Sequence, residues 1–233
     1  MRGYLIAVAL CITTLVHGQD LPSQQAAWEK TVEARHDALV KQWGNGSDPA
    51  LREELHAMYA HDQEARRFMM TLPPAQWTAS MAERRQQTDA ELTSDLKKIV
   101  MRKGWPTFRL VGVDGAGQAM LILDHSRDHA WQNEMLPRLA KLAEKGEIDA
   151  SGFAMFVDKA LVAAGKPQRY GMNFKFVDGK MQMYAVEDPE HLRERRERFM
   201  LPPLSVYKHM LAEIYHLKIT DEIAQPDPIE PIR

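Results

Sequence analysis

The stretch Phe174-Lys-Phe-Val-Asp-Gly-Lys-Met-Gln-Met-Tyr184 contains the one clear strand signal in the chain. Asp178-Gly179 sits between two short arms, and such a dipeptide accepts the left-handed backbone that a two-residue hairpin turn requires. Two strands alone are marginally stable in water. The hairpin near 174–184 therefore has to lie against something else, and the rest of the chain predicts helices. The fold class expected is mainly α: a multi-helix single domain with one small β-hairpin.

Working outward, helical spacing and stop signals predict helices from about Ser23 to Trp43, Pro49 to Met70, Thr78 to Arg102, Gly115 to His129, Trp131 to Lys145 and Ala150 to Ala164. Gly44-Asn45-Gly46 is a turn. Ser47-Asp48-Pro49 offers a cap followed by proline at the first helical position, and Gly104 ends the third helix just before Pro106. Beyond the hairpin, Asp188-Pro189 opens another helix, and Pro202-Pro203 separates it from a last one. The run Arg193 to Phe199 is read most cheaply as a solvated helix face.

The first eighteen residues carry Arg2, an apolar run from Leu5 to Val16 and a cleavage site at Val16-His17-Gly18, the layout of a secretory signal. The expectation is a periplasmic or secreted protein with its single domain over residues 19–220 and a disordered, proline-punctuated tail over 221–233. The single cysteine, Cys11, leaves with the leader. That loss removes disulfides, thiol nucleophiles and thiolate metal sites from the expected chemistry. No later stretch approaches the roughly 20 apolar residues of a membrane-spanning helix. Net charge is −2, becoming −3 (29 basic against 32 acidic residues) without Arg2, and both signs are mixed along the chain. Nucleic acid is not an expected partner.

Polar groups that could do chemistry fall into two sets. In the second helix, at 100° per residue, Leu55, Met58 and Asp62 lie within roughly 40° of Leu51, with Met69 on the same stripe and Arg66 at its edge. A carboxylate centred on an apolar stripe must be paired or reach a polar cavity. Arg66, four residues on, is the obvious partner, as a structural ion pair or as half of a ligand site. Asp89 lies at the edge of the third helix's stripe. His125 shares a face with Gln118, Ile122 and His129, and His125-x-x-x-His129 has the spacing of two helical zinc ligands. The intervening Ser-Arg-Asp lacks the glutamate of the metalloprotease motif, so no metal is expected.

The second set is the loop Gly165-Lys-Pro-Gln-Arg-Tyr-Gly171. Pro167 stiffens it, Gln168 offers donor and acceptor, and Tyr170 offers a phenol on an apolar body. The expectation is that Gln168 and Tyr170 face a cavity shared with Asp62, Arg66 and His125; the alternative is a hairpin anchor.

The ordered pieces Asp62-Gln-Glu-Ala-Arg66, Gly104-Trp-Pro-Thr107, Leu110-Val-Gly112, His125, Leu136-Pro-Arg-Leu139, Lys145-Gly-Glu147, Val157-Asp-Lys-Ala-Leu161, the Gly165–Gly171 loop, Val186-Glu-Asp-Pro-Glu190 and Leu201-Pro-Pro-Leu204 resemble an uncharacterised bacterial domain-of-unknown-function family over about residues 50–207. Its pattern has Gln-His and Asp-Arg where this chain has Asp124-His125 and Asp158-Lys159, and Thr-Gln where it has Met172-Asn173. The resemblance adds Asp158 to the candidate site and implies no particular activity.

Among function classes, the sequence favours an exported binder of a small polar or anionic ligand or a peptide, held in a helical pocket by Asp62, Arg66, Asp89, His125, Asp158, Gln168 and Tyr170. One alternative is a hydrolase with His125 or Asp62 as general base. Another is a structural cell-envelope protein. No nucleophile elbow, phosphate loop or dinucleotide fingerprint is present, and no cofactor is expected.

Overall fold

The computed structural model describes residues 20–72 and 76–225. The expected leader at 1–18 and the end of the expected tail, 226–233, lie outside the described residues.

Eight α-helices and a three-stranded sheet make a mainly α single domain among these residues. The helices are α1 (Leu21–Trp43), α2 (Pro49–Thr71), α3 (Ala79–Lys103), α4 (Phe108–His125), α5 (His129–Glu144), α6 (Ala150–Ala163), α7 (Leu192–Arg198) and α8 (Leu204–Tyr215). Their starts follow the capping chemistry. Asp48 accepts the Leu51 N–H at 3.1 Å with Pro49 beside it, Thr78 accepts from Met81, and Asp149 accepts from Ser151 and Gly152. Each bond satisfies a donor that a helix start leaves unpaired. Gly104, at φ 77°, ends α3 as its sequence position requires.

The core gathers Leu51, Leu55 and Met58 of α2, Leu92, Leu96 and Ile99 of α3, Ile122 and Leu123 of α4, Met135 and Leu139 of α5, and Phe153 and Phe156 of α6. Met69, at the far end of the α2 stripe, is instead exposed.

Two helix boundaries differ from the sequence expectation. α4 begins at Phe108, seven residues before the expected Gly115, and kinks at Gly112, where φ is 73°. The kink receives the α1–α2 turn: Ser47 and Asp48 donate their N–H groups to the carbonyls of Arg109 and Leu110 at 3.0 and 2.9 Å. The approach is so close that a Cβ on Gly46, itself at φ 78°, would stand 2.4 Å from the Leu110 carbonyl oxygen. Glycine is required there for both space and conformation. At its other end α4 stops at His125 rather than running on to His129. Ser126 Oγ accepts the Asp128 N–H at 3.1 Å, and the Asp128 carboxylate accepts the Trp131 N–H at 2.9 Å. Side chains thus take over backbone donors, and a new helix starts.

The hairpin forms as read. β1 (Phe174–Val177) and β2 (Lys180–Tyr184) pair antiparallel, with Val177 opposite Lys180 and Phe174 opposite Met183. Asp178 and Gly179 both have positive φ, 48° and 72°, as the favoured two-residue turn demands. The sheet has a third member that the sequence reading assigned partly to the tail. β3 (Lys218–Ala224) runs parallel to β2, with a register shift between Gln182 and Met183. The expected tail at 221–233 is corrected for residues 221–224: their backbone N–H and C=O groups pair with the hairpin's open edge. Among the described residues no helix is long and apolar enough to cross a membrane.

Candidate functional site

Asp62 lies where its stripe predicts, 1% exposed between α2, α3 and α4. Its Oδ1 accepts from Arg66 Nη1 at 2.7 Å and from His125 Nδ1 at 2.9 Å, while its Oδ2 accepts from Gln63 Nε2 at 2.9 Å. Arg66 reaches on to Asp89, donating from Nη2 to Oδ1 at 2.5 Å. Four of the seven candidate residues therefore form one network tying three helices. Burial alone would push the Asp62 carboxyl up. The hydrogen bond and charge of His125, the charge of Arg66 and the Gln63 amide outweigh it and hold the carboxyl below its ordinary value.

The edge of this network is open on one side. The Arg66 side chain is 15% exposed and the His125 ring 22%. Because Nδ1 is committed to Asp62, His125 turns its Nε2 away, and among the described residues Nε2 makes no hydrogen bond. His129 is not a second ligand beside it. The break at Ser126–Asp128 puts the two histidines on different helices, and His129 Nδ1 pairs with Gln132 Oε1 at 2.9 Å. Among the described residues no three His, Cys, Asp or Glu side chains gather as a metal site.

The other three candidates form a second network around the Gly165–Gly171 loop. Asp158, fully buried on α6, accepts the backbone N–H groups of Arg169 at 2.6 Å, Tyr170 at 2.9 Å and Met172 at 2.9 Å. Arg196 of α7, 1% exposed, takes carbonyls of the same loop, donating from Nη1 to Tyr170 at 2.5 Å and Gly171 at 3.4 Å, and its Nε donates to the Pro202 carbonyl at 2.8 Å. A carboxylate gathering amides and a guanidinium gathering carbonyls hold the loop from both sides. Burial pushes the Asp158 carboxyl up despite these N–H groups and the nearby Arg196 charge. It pulls Arg196 down to about 10.

Gln168 is fully buried, and its side chain is spent on the hairpin. Nε2 donates to the carbonyls of Asn173 at 3.1 Å and Tyr184 at 2.9 Å, and Oε1 accepts the Asn173 N–H at 2.8 Å. Asn173 serves here through its backbone. The Tyr170 ring packs against Phe199, centroids 4.9 Å apart. The seven residues expected to share one site thus form two hydrogen-bonded networks. Among the described residues no hydrogen bond joins Gln168 or Tyr170 to Asp62, Arg66 or His125. The link between the networks is instead Lys159, whose Nζ donates to the Asp124 carbonyl at 2.6 Å and to its Oδ2 at 3.0 Å. Asp124 and Lys159, two positions that depart from the pattern noted above, are therefore each other's partner.

Sequence reasoning missed Arg196, assigning it to a solvated face. Leu192, Arg196 and Phe199 are all buried, at positions i, i+4 and i+7. That spacing is the signal by which Asp62 was found, and here it is hidden inside a run of charges.

The family comparison covers both networks: residues 49–220 match the family of unknown function DUF6624, and the chain belongs to that family. No curated protein and no solved structure matches the chain.

Proposed function

We propose that the protein is an exported binder of a small polar molecule or peptide, recognised at the open edge of the Asp62–Arg66–Asp89–His125 network. The carrying observation is the Asp62 to His125 bond of 2.9 Å, which commits Nδ1 and leaves Nε2 as the ring nitrogen open to a ligand. Two carboxylates share one guanidinium, so the charge balance favours ligands rich in N–H and O–H donors over anions.

A hydrolytic reading draws on the same bond, since an imidazole oriented by a carboxylate can take a proton from water at Nε2. Asp62 itself is a poor base, with both oxygens occupied and its carboxyl held low. In that reading His125 is the base and Asp62 its positioning residue. The structural-envelope alternative makes the network only a tie between helices.

A thermal-shift panel of polyols, amines and dipeptides on the native protein and His125→Gln separates these readings. Binding predicts a compound that raises the melting temperature of the native protein alone. Hydrolysis predicts in addition that this compound is consumed, as followed by NMR. If nothing in the panel discriminates the two proteins, the binding proposal fails and the tie remains.

Export rests on Arg2, the Leu5–Val16 apolar run and the Gly18 cleavage site. Protein purified from fractionated cells is expected outside the cytosol with an N-terminus near Gln19. A full-length cytosolic chain would overturn export without touching the binding site.

A further inference from the structure

A cleft of about 530 Å³ lies between the α3–α4 junction and the last turns of α5, within the size range of small-molecule sites. Lys103, Trp105, Arg109, Arg138, Lys141 and Lys145 line it, and its lining contains no carboxylate. This is unexpected in a chain whose net charge is −2. Lys103 is answered by Asp48 Oδ2 at 3.2 Å. The Arg109 guanidinium lies over the Trp43 ring at 5.1 Å, and Arg138 Nη1 donates to the Met135 sulfur at 3.9 Å. Among the described residues Arg109, Arg138, Lys141 and Lys145 form no ion pair. Like charges converging on one concavity repel unless an anion sits among them.

Trp105 and Thr107 complete the lining beside these cations. Trp105 lines the cleft at 6% exposure, and its indole Nε1 is buried without a hydrogen-bond partner among the described residues. Indole is a donor only, so an acceptor is what it lacks. Thr107 beside it makes no side-chain cap bond to α4, which leaves a further hydroxyl in the lining.

We propose that this cleft binds the phosphoryl group of a small molecule, with Arg109, Arg138, Lys141 and Lys145 neutralising it beside the Trp105 ring. Four unpaired cations exceed what a single carboxylate could answer, and a multiply charged oxyanion matches them. The cleft is separate from the His125 edge. Arg109 and His125 stand at opposite ends of α4, up to roughly 24 Å apart at the helical rise of 1.5 Å per residue.

Inorganic pyrophosphate is the probe, titrated calorimetrically into the purified protein while the Trp105 indole resonance, assigned with Trp105→Phe, is followed by 15N NMR. Saturable binding that shifts this resonance and weakens with added salt is expected. The double variant Lys141→Glu/Lys145→Glu, at exposed positions that leave the core intact, should bind about tenfold or more weakly. Equal affinity in the double variant, or no saturable binding at millimolar pyrophosphate, would overturn the site. Phosphatidylglycerol vesicles separate the two sources of the group. Vesicle binding competed by pyrophosphate and lost in the double variant identifies a lipid headgroup. Pyrophosphate binding without vesicle binding identifies a soluble phosphorylated molecule, and vesicle binding that pyrophosphate does not compete with overturns the proposal.

Discussion

Replacing Asp158 with alanine is expected to remove on the order of 5 kcal/mol of stability, enough to leave a domain of ordinary stability largely unfolded. The carboxylate accepts from three backbone N–H groups, those of Arg169, Tyr170 and Met172, in a place with no exposure to water. Each buried donor left without an acceptor costs about 1 to 3 kcal/mol. Removing the negative charge also strands Arg196, which is 1% exposed and keeps a second nitrogen, Nη2, without a partner. Asp158→Asn should cost roughly half as much, because one oxygen still accepts while the new amide N–H₂ faces donors. Urea unfolding gives the free energies, and hydrogen exchange at the Arg169, Tyr170 and Met172 amides gives the location. A loss below about 1 kcal/mol for the alanine variant, with those amides still protected, would show that the loop does not depend on its carboxylate.

What the sequence made legible depended on how local the physics was. The Asp178-Gly179 turn, the Asp48 cap before Pro49 and the Gly104 stop are decided within a few residues, and each stands where it was read. Asp62 was legible because its helix repeats apolar residues on both sides of it. Arg196 obeys the same rule, but five charged neighbours in Arg193–Arg198 conceal the stripe. β3 was hidden for a different reason. Asp221 and Glu222 break its apolar pattern, and a parallel edge pairing is specified by the partner strand more than by the strand's own residues. The use of Gln168 by the hairpin backbone also could not be read from residue types. A glutamine's amide serves a ligand or a neighbouring backbone equally well, and only the fold put the Asn173 and Tyr184 carbonyls within its reach.

The second large effect is expected at Asp62, where alanine should cost about 2 to 3 kcal/mol, at or just below the lower end of the range for breaking a fully buried pair. The reason for the smaller figure is geometric. Arg66 retains Asp89 at 2.5 Å when Asp62 is gone, and both Arg66 and His125 have some access to water. The acid limb of stability provides a separate test. The Asp62 carboxyl titrates below its ordinary value of 3.8 in the fold, so its ionised form contributes stability that is complete above that pH and lost as pH falls through the folded value. Asp158 acts in the opposite sense. Its folded pKa lies above 3.8, so stability rises as pH falls from that folded value toward 3.8. Asp62→Asn, nearly the same shape without the titration, should therefore lessen the loss of stability below pH 3.8, leaving the part contributed by the other lowered carboxyls, among them Asp48 and Asp128. Unfolding free energies of Asp62→Asn and the native protein, measured in urea from neutral pH downward, should differ most at neutral pH and converge in acid. A gap that stays constant across that range would mean that the Asp62 charge takes no part in holding α2, α3 and α4 together.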